Sequence, residues 1–526
     1  MTPRAKFPQS PAPIGRELPA VTVIPGTIES CDFLTADEVD AIAVGVGAPV
    51  VGDDELQPRA GTVHASARYR IDLAELAERA HFKAAPGSTH VIDLPVTHRG
   101  SGAVLPWQGL PLRIILMGVG TGSDEELRTA GAALAKVSAG LGRVVTTVAA
   151  RSDDRGTRHF VEGYLLGAYQ GWSQSAKPAP QPAKELVVLG PNSQEAVDVA
   201  RRHAWLTWLT RDLATVPANV KTPAWLAAQF ALVARDNGLE VNILEGKQLV
   251  ERGFGGIIAV GAGSQSAPAL VQVTYTPANL SADHKHVVVV GKGITFDTGG
   301  ISIKRPRETM ITMKTDMTGA ADAFAAVVGA AQSAVPHKVT ALLPLAENHF
   351  GAASARPSDV ITMFGGTSVE IANTDAEGRL VMADALAYAA QELGADLLID
   401  VATLTGAQAM SLGHSHGALF SNDSDVTKRF LAAAAETGEA LWQMPLVHDY
   451  ADALESDIAD LRNVPQHPQG AGAVVAALFL ERFTGSLPWA HLDIAGPSHR
   501  TKAHREANKG PTGFGARVIL EVIENL

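Results

Sequence analysis

The chain has 526 residues, 46% of them apolar, and a formal net charge of −12. That length exceeds one typical core and calls for two or three domains, and the composition excludes a disordered chain. The acidic balance disfavours nucleic acid and anionic membranes as partners, and a single cysteine, Cys31, allows neither an intrachain disulfide nor a cysteine-based zinc cluster, as suits a reducing, cytoplasmic setting.

The first stretch, "MTPRAKFPQSPAPIGRELPA", carries prolines and no apolar signal-peptide core, and is expected to be a loose tail. Strands are then expected at 21–26, 41–46, 90–96, 113–120 and 144–150, and helices at 74–82, 126–141 and 159–172. Such alternation predicts an α/β domain with a mostly parallel sheet. The Ala/Pro/Lys-rich segment 173–185 reads as a surface loop and 186–190 as a last strand. From Ser193 to Val216 the apolar residues recur at helical spacing, and Pro217 stops the run. The chain therefore divides into an N-terminal α/β domain (1–192), a connecting helix (193–216) and a second α/β domain (217–526). Strands of the second domain are expected at 241–245, 256–261, 286–291, 338–345, 397–406 and 489–496. The longest apolar runs, such as "AGAVVAALFL", are far too short to span a membrane.

Two stretches carry chemistry. "VVVVGKGITFDTGGISIK" (287–304) begins as a buried strand, where Lys292 is costly unless matched by charge. Asp297 and Lys304 follow, with Gly299 and Gly300 permitting close backbone approach. Asp316 precedes a helix rich in small residues. In "NTDAEGRL" (373–380), an extended loop leaving a strand would turn Asp375, Glu377 and Arg379 to one side. Crowded carboxylates need a proton or a cation between them. Both stretches are expected at strand ends, where open α/β sheets bind ligands. Asp297, Asp316, Asp375 and Glu377 supply enough negative charge for two divalent cations, and oxygen ligands with a lysine amine suit manganese, magnesium or zinc. A ligating lysine must be neutral, which burial beside dications would favour. Taken alone, "NTDAEGRL" is equally a solvated acidic turn with Arg379 as its ion-pair partner.

"VGKGITFDTGGISIK" and "NTDAEGRL" together resemble the two signatures of the leucyl (cytosol) aminopeptidase family, peptidase family M17. "VPANVKTP", "PLAEN", "DVATLTGA" and "WAHLDIAG" extend the likeness from about residue 210 to the end. The first 192 residues resemble the family's variable, macro-like N-terminal domain only in α/β character. The resemblance implies that Lys292, Asp297, Asp316 and Glu377 ligate one metal and Asp297, Asp375 and Glu377 the other. It implies Lys304 and Arg379 as catalytic residues, the first stabilising an oxyanion and the second holding bicarbonate as proton shuttle. Met313, Thr403, Gly406 and Ala495 would line an apolar pocket for the N-terminal side chain. A homohexamer cleaving peptides with a free N-terminus, leucine preferred, in intracellular turnover is the implied whole. Departures are small: Thr298 where serine is common, a segment between Lys304 and Asp316 one residue longer with an extra Glu308, and "ARPSD" where a lysine is usual.

A DNA-binding or regulatory protein on the same scaffold is the other function class considered, and the lack of a Lys/Arg cluster argues against it. The histidines of "GHSH" (413–416) are expected to be structural, and "HKH" (284–286) a solvated turn. "MGVGTGS" (117–123) and "VGAGSQS" (260–266) lack the full phosphate-loop pattern. Trp205 and Trp208 are expected to be helix packing.

Overall fold

The computed structural model describes residues 14–50, 55–96, 104–149, 153–173, 175, 177, 180–190, 193–280, 283–467 and 470–526. Most of the expected N-terminal tail, and part of the 173–185 segment, lie outside them. The described residues divide into two compact units, residues 16–205 with 502–508, and residues 206–501 with 509–526 and 14–15. The division falls within the helix Gln194–Thr215. Ser193 starts that helix, its hydroxyl accepting from Ala196 N at 3.2 Å. Two lysines meet the carbonyls at its other end: Lys221 donates to Leu213 and Ala214, and Lys314 to Thr215.

The first unit holds a sheet in the order Ala20–Ile24, Glu185–Leu189, Arg143–Thr146, Ala41–Gly47, Arg113–Gly118, Thr89–Asp93. All these neighbours are parallel except the last pair. Ala41–Gly47 is buried at every position, as a continuous apolar strand between two layers must be. The loop "MGVGTGS" closes on a carboxylate of its own. Glu126 accepts from the backbone and hydroxyls of Thr121 and Ser123. Against the effect of burial, those bonds lower its pKa to about 2, so the loop's donors are already committed to an anion.

The second unit is built on a mixed sheet. Its path is Leu441–Gln443, Gly417–Ser421, Trp489–Asp493, Leu397–Ala402, His286–Gly291, Lys338–Asn348, Ala269–Tyr275, Glu240–Glu245. The four strands from Trp489–Asp493 to Lys338–Asn348 are parallel. The short strand Gly293–Asp297 continues His286–Gly291 but pairs only with the far half of Lys338–Asn348, with a register shift before Asp297. Lys292 sits at that break, its N–H still bonded to Val401 O at 3.0 Å. Helices Thr318–Gln332 and Gly378–Glu392, both almost wholly buried, cover the sheet. A separate three-stranded sheet is formed by Asp359–Thr362, Ser368–Ile371 and Leu461–Arg462.

Two local readings of the sequence are corrected. Residues 256–261, expected as a strand, lie in the helix Gly255–Gly261. A short apolar run does not distinguish the two states by itself, and here tertiary contacts decide: Ile257 N donates to the buried Asp384, and a Cβ on Gly255 would lie 1.9 Å from Thr362 O. "HKH" is no solvated turn at its third residue. His286 opens the central strand, buried, with its ring nitrogens against Leu393 O and Thr340 Oγ1.

Candidate active site

The break after His286–Gly291 points the Lys292 side chain out of the sheet into a cluster of carboxylates. Its ammonium lies 2.9 Å from Asp316 Oδ2 and 3.0 Å from Glu377 Oε1, and donates to Thr403 O at 3.0 Å. Lys304, which follows the turn at Gly299 and Gly300, lies 2.6 Å from both Asp297 Oδ2 and Asp375 Oδ1. Asp297, Asp375 and Glu377 each offer an oxygen within 4.8 Å of the others. Three segments, 292–304, 316 and 375–377, thus deliver five expected metal ligands and Lys304 to one place.

"NTDAEGRL" reaches the cluster differently from the extended loop expected of it. It leaves the small three-stranded sheet, not the main one, and becomes helical at Gly378. Asp375 and Glu377 do converge. Arg379, already inside the helix, instead donates to Asn463 O at 2.7 Å. The turn is imposed by side chains that compete with extended backbone. Asn373 Oδ1 accepts from Asp375 N, and Asn463 Oδ1 accepts from the backbone of Ala372 and Asn373.

Burial raises the Glu377 pKa to about 8, with Asp297 adding to the shift and Lys292 opposing it. Burial likewise raises Asp316 to about 6, although Lys292 and Lys304 pull it down. Asp375 is raised by burial and by Asp297. For both lysines burial favours the neutral amine, but the surrounding carboxylates outweigh it and hold them above the usual lysine value. The neutral Lys292 that ligation requires therefore needs additional positive charge in the site. Burial lowers Arg379 to about 10, which leaves it charged at neutral pH.

The residues fit divalent cations. Asp316 Oδ2, Asp375 Oδ1 and Glu377 Oε1 are buried against the two lysine ammoniums, so Asp297, Asp316, Asp375 and Glu377 face two positive charges between them, and the surplus negative charge is costly unless a further cation takes it up. The donor set, carboxylate oxygens with one amine, matches hard to borderline metals.

Supporting residues were not all visible in the sequence. Asn348, at the end of the strand Lys338–Asn348, donates to Asp297 Oδ1 at 2.8 Å and to Thr374 O at 3.0 Å. It belongs to "PLAEN", but an asparagine closing a strand has no chemical signature. Asp493 likewise belongs to "WAHLDIAG" without standing out in it, and Asn463 and Gln408 lie outside every quoted stretch. Of the expected pocket residues, Thr403 bonds Asp316 Oδ1 through its hydroxyl at 2.7 Å. The carbonyl of Met313 accepts from Asp316 N at 3.3 Å. Gly406 opens the helix Gly406–Leu412, and Ala495 follows the strand Trp489–Asp493. His414 bonds Gly496 O, and neither His414 nor His416 belongs to the carboxylate cluster. Trp208 is buried in its helix.

The family model for the cytosol aminopeptidase family, catalytic domain, matches residues 208–520. This chain belongs to the cytosol aminopeptidase family. It is 41% identical over 435 residues to a probable cytosol aminopeptidase of Rhodococcus opacus, which covers 79% of this chain and 84% of the relative. It is 38% identical over 506 residues to one of Streptomyces avermitilis, covering 92% and 95%. Among solved structures it is similar to the bottromycin maturation enzyme BotP in complex with Mn, with a TM-score of 0.79 and 32% identity over 93% of this chain and 99% of that one. As a cytosol aminopeptidase the protein is a metal-dependent hydrolase of peptides. Among the described residues no helix is long and apolar enough to cross a membrane.

Proposed function

We propose that this cytosol aminopeptidase removes apolar N-terminal residues, leucine foremost, from peptides in the cytoplasm as part of peptide and protein turnover. The observation that carries the reading is the convergence of Asp297, Asp375 and Glu377 with Asp316 beside them, four carboxylates against the two ammoniums of Lys292 and Lys304. Lys292, Asp297, Asp316 and Glu377 would hold one ion and Asp297, Asp375 and Glu377 a second. Manganese or zinc suits the set, with magnesium as a substitute, and the manganese in the BotP structure supports the first choice. Bound there, such ions supply Lewis acidity and a water acidified to near neutrality.

The chain's own residues do the rest. Lys304 keeps its proton and faces the reacting carbonyl, where an ammonium stabilises developing negative charge on oxygen. Arg379 cannot act as a base, so its part is to hold an anion, bicarbonate, that carries a proton between water and leaving amine. Met313, Thr403, Gly406 and Ala495 receive the N-terminal side chain, and a lining of one apolar thioether and three small, uncharged residues supports the apolar preference. In the same reading, residues 1–192, joined through helix 193–216 to the catalytic residues 217–526, make assembly contacts in a homohexamer.

The test is direct. The purified protein with added manganese should release leucine from a chromogenic amide, and a chelator should abolish release. No turnover with any divalent metal would sink the reading.

A further inference from the structure

The three residues expected to line the side-chain pocket on the sheet side, Thr403, Gly406 and Ala495, stand on two separate segments. One follows the strand Leu397–Ala402 and the other follows its parallel neighbour Trp489–Asp493. A single buried carboxylate joins them. Asp493 Oδ1 accepts from Leu404 N at 3.1 Å, Thr405 N at 3.4 Å and Ala495 N at 3.2 Å. Its Oδ2 accepts from Thr405 Oγ1 at 2.7 Å. A second buried residue repeats the link one turn on. Gln408 Oε1 accepts from Gly496 N at 2.6 Å, Gln408 N donates to Thr405 Oγ1 at 3.1 Å, and Gln408 Nε2 donates to His416 O at 2.8 Å. Neither Asp493 nor Gln408 is exposed.

On the other flank the same loop is tied to the metal-binding residues, Thr403 bonding Asp316 through its hydroxyl and Lys292 through its carbonyl. The loop therefore has two independent anchors. One sets its distance from the reacting centre, and the Asp493–Gln408 anchor sets the spacing between Gly406 and Ala495.

We propose that Asp493, seconded by Gln408, is the positioning residue of the N-terminal side-chain pocket and governs which side chain the enzyme prefers. The inference rests on the reading that Thr403, Gly406 and Ala495 line that pocket. The carboxylate touches no reacting atom; it holds backbone in place, and a ligand-lining loop freed by a fraction of an ångström loses discrimination before it loses chemistry. An apolar pocket separates side chains that differ by a methylene or so by about 10- to 200-fold. That selectivity is what a loosened wall forfeits.

The experiment compares kcat/KM for leucine and alanine amide substrates in the full-length, manganese-loaded enzyme. Asp493→Asn replaces the Oδ2 acceptor by a donor. It is expected to cut the leucine-to-alanine ratio by ~10-fold while manganese content is retained. Thr405→Val removes the hydroxyl's bonds to Asp493 and Gln408 N but leaves the carboxylate and its backbone donors; it should cut the ratio less, and Thr405→Ser, which keeps the hydroxyl, should recover it. Thr405→Val and Thr405→Ser carry the test if Asp493→Asn does not fold. A uniform fall for both substrates, or an unchanged ratio, overturns the proposal. Ala495→Val separates the two levels. If it shifts the ratio towards alanine while Asp493→Asn and Thr405→Val do not, the pocket stands and the role of Asp493 fails. If it leaves the ratio untouched, the pocket reading itself fails and takes the proposal with it.

Discussion

Gly378 lies directly against the side chain of Lys292. A Cβ at 378 would stand 2.5 Å from Lys292 Cε and 2.8 Å from Nζ. Any larger residue must push the ammonium away from Glu377 and Asp316, which it meets at 3.0 and 2.9 Å. The glycine of "NTDAEGRL" is therefore a clearance for a lysine 86 residues earlier in the chain, not a requirement of the helix it opens. Gly378→Ala is expected to displace Lys292, leave fewer than two metals bound per chain and lower kcat/KM by ~100-fold or more. Elemental analysis with steady-state kinetics checks both; full metal occupancy and wild-type rates would refute the displacement.

Asn463 carries a comparable burden from outside the signature stretches. Its side chain accepts from Ala372 N at 2.8 Å and donates to Asn373 O at 2.7 Å, so it shapes the turn that presents Asp375 and Glu377. Asn463→Ala leaves those half-buried backbone groups without their side-chain partner, at a cost of about 1 kcal/mol each. The expected outcome is a lower melting temperature and a lower kcat, with the chain still able to bind manganese at raised concentration. A variant as stable and active as the parent would show that the turn holds without it.

Much of this site was legible in the sequence because charge in apolar surroundings is itself a signal. Lys292 after four valines and Asp297 before two glycines had to be matched by something, and the second signature supplied it. The strands around them were legible for the same reason, being continuous apolar runs with helices between. What stayed hidden was whatever depends on long-range pairing. The helix Gly255–Gly261 reads as a strand because seven small and apolar residues have no period. Its state is set by Asp384, far along the chain. The extended form expected of "NTDAEGRL" loses to the Asn373 turn, a competition between one side chain and the backbone that spacing does not reveal, and the bond from Arg379 to Asn463 O follows from it. Asn348, Gln408 and Asp493 act by holding backbone groups and, for Asn348, the Asp297 carboxylate, and nothing in a sequence distinguishes a holding amide or carboxylate from any other.

Lys304 joins Asp297 and Asp375, at 2.6 Å from each, and so should matter in two separable ways. With metals bound, its loss removes a cation aimed at developing charge, and Lys304→Ala is expected to lower kcat by ~100- to 1,000-fold with two metals retained. In the metal-free protein the same change leaves the buried Asp297 and the half-buried Asp375 carboxylates facing each other, which should lower the melting temperature. Adding manganese should then narrow the gap from wild type. Calorimetry with and without chelator reads the second effect, and loss of metal from the variant would mean that Lys304 helps to build the site and does not merely serve it.

Asp384 gives the fold a pH dependence away from the metal cluster. Burial raises its pKa to about 7 from a reference of 3.8, against the pull of backbone N–H groups of Phe364, Ile257 and Gly256. Below both values the carboxyl is protonated folded and unfolded, and it contributes no slope. Between them the unfolded chain has lost the proton and the native state keeps it. The unfolded state thus binds fewer protons, and stability falls as pH rises from about 4 to about 7 before levelling. The total is on the order of a few kcal/mol at most. Asp384→Asn cannot ionise, and it also places an amide N–H₂ against one backbone donor, so its overall level should be lower. Its stability curve should nonetheless be flatter than the parent's by up to one proton across that window. Denaturant titrations of the metal-free protein at pH 4, 5.5 and 7 compare the slopes, and parallel curves for parent and variant would show that Asp384 does not titrate there.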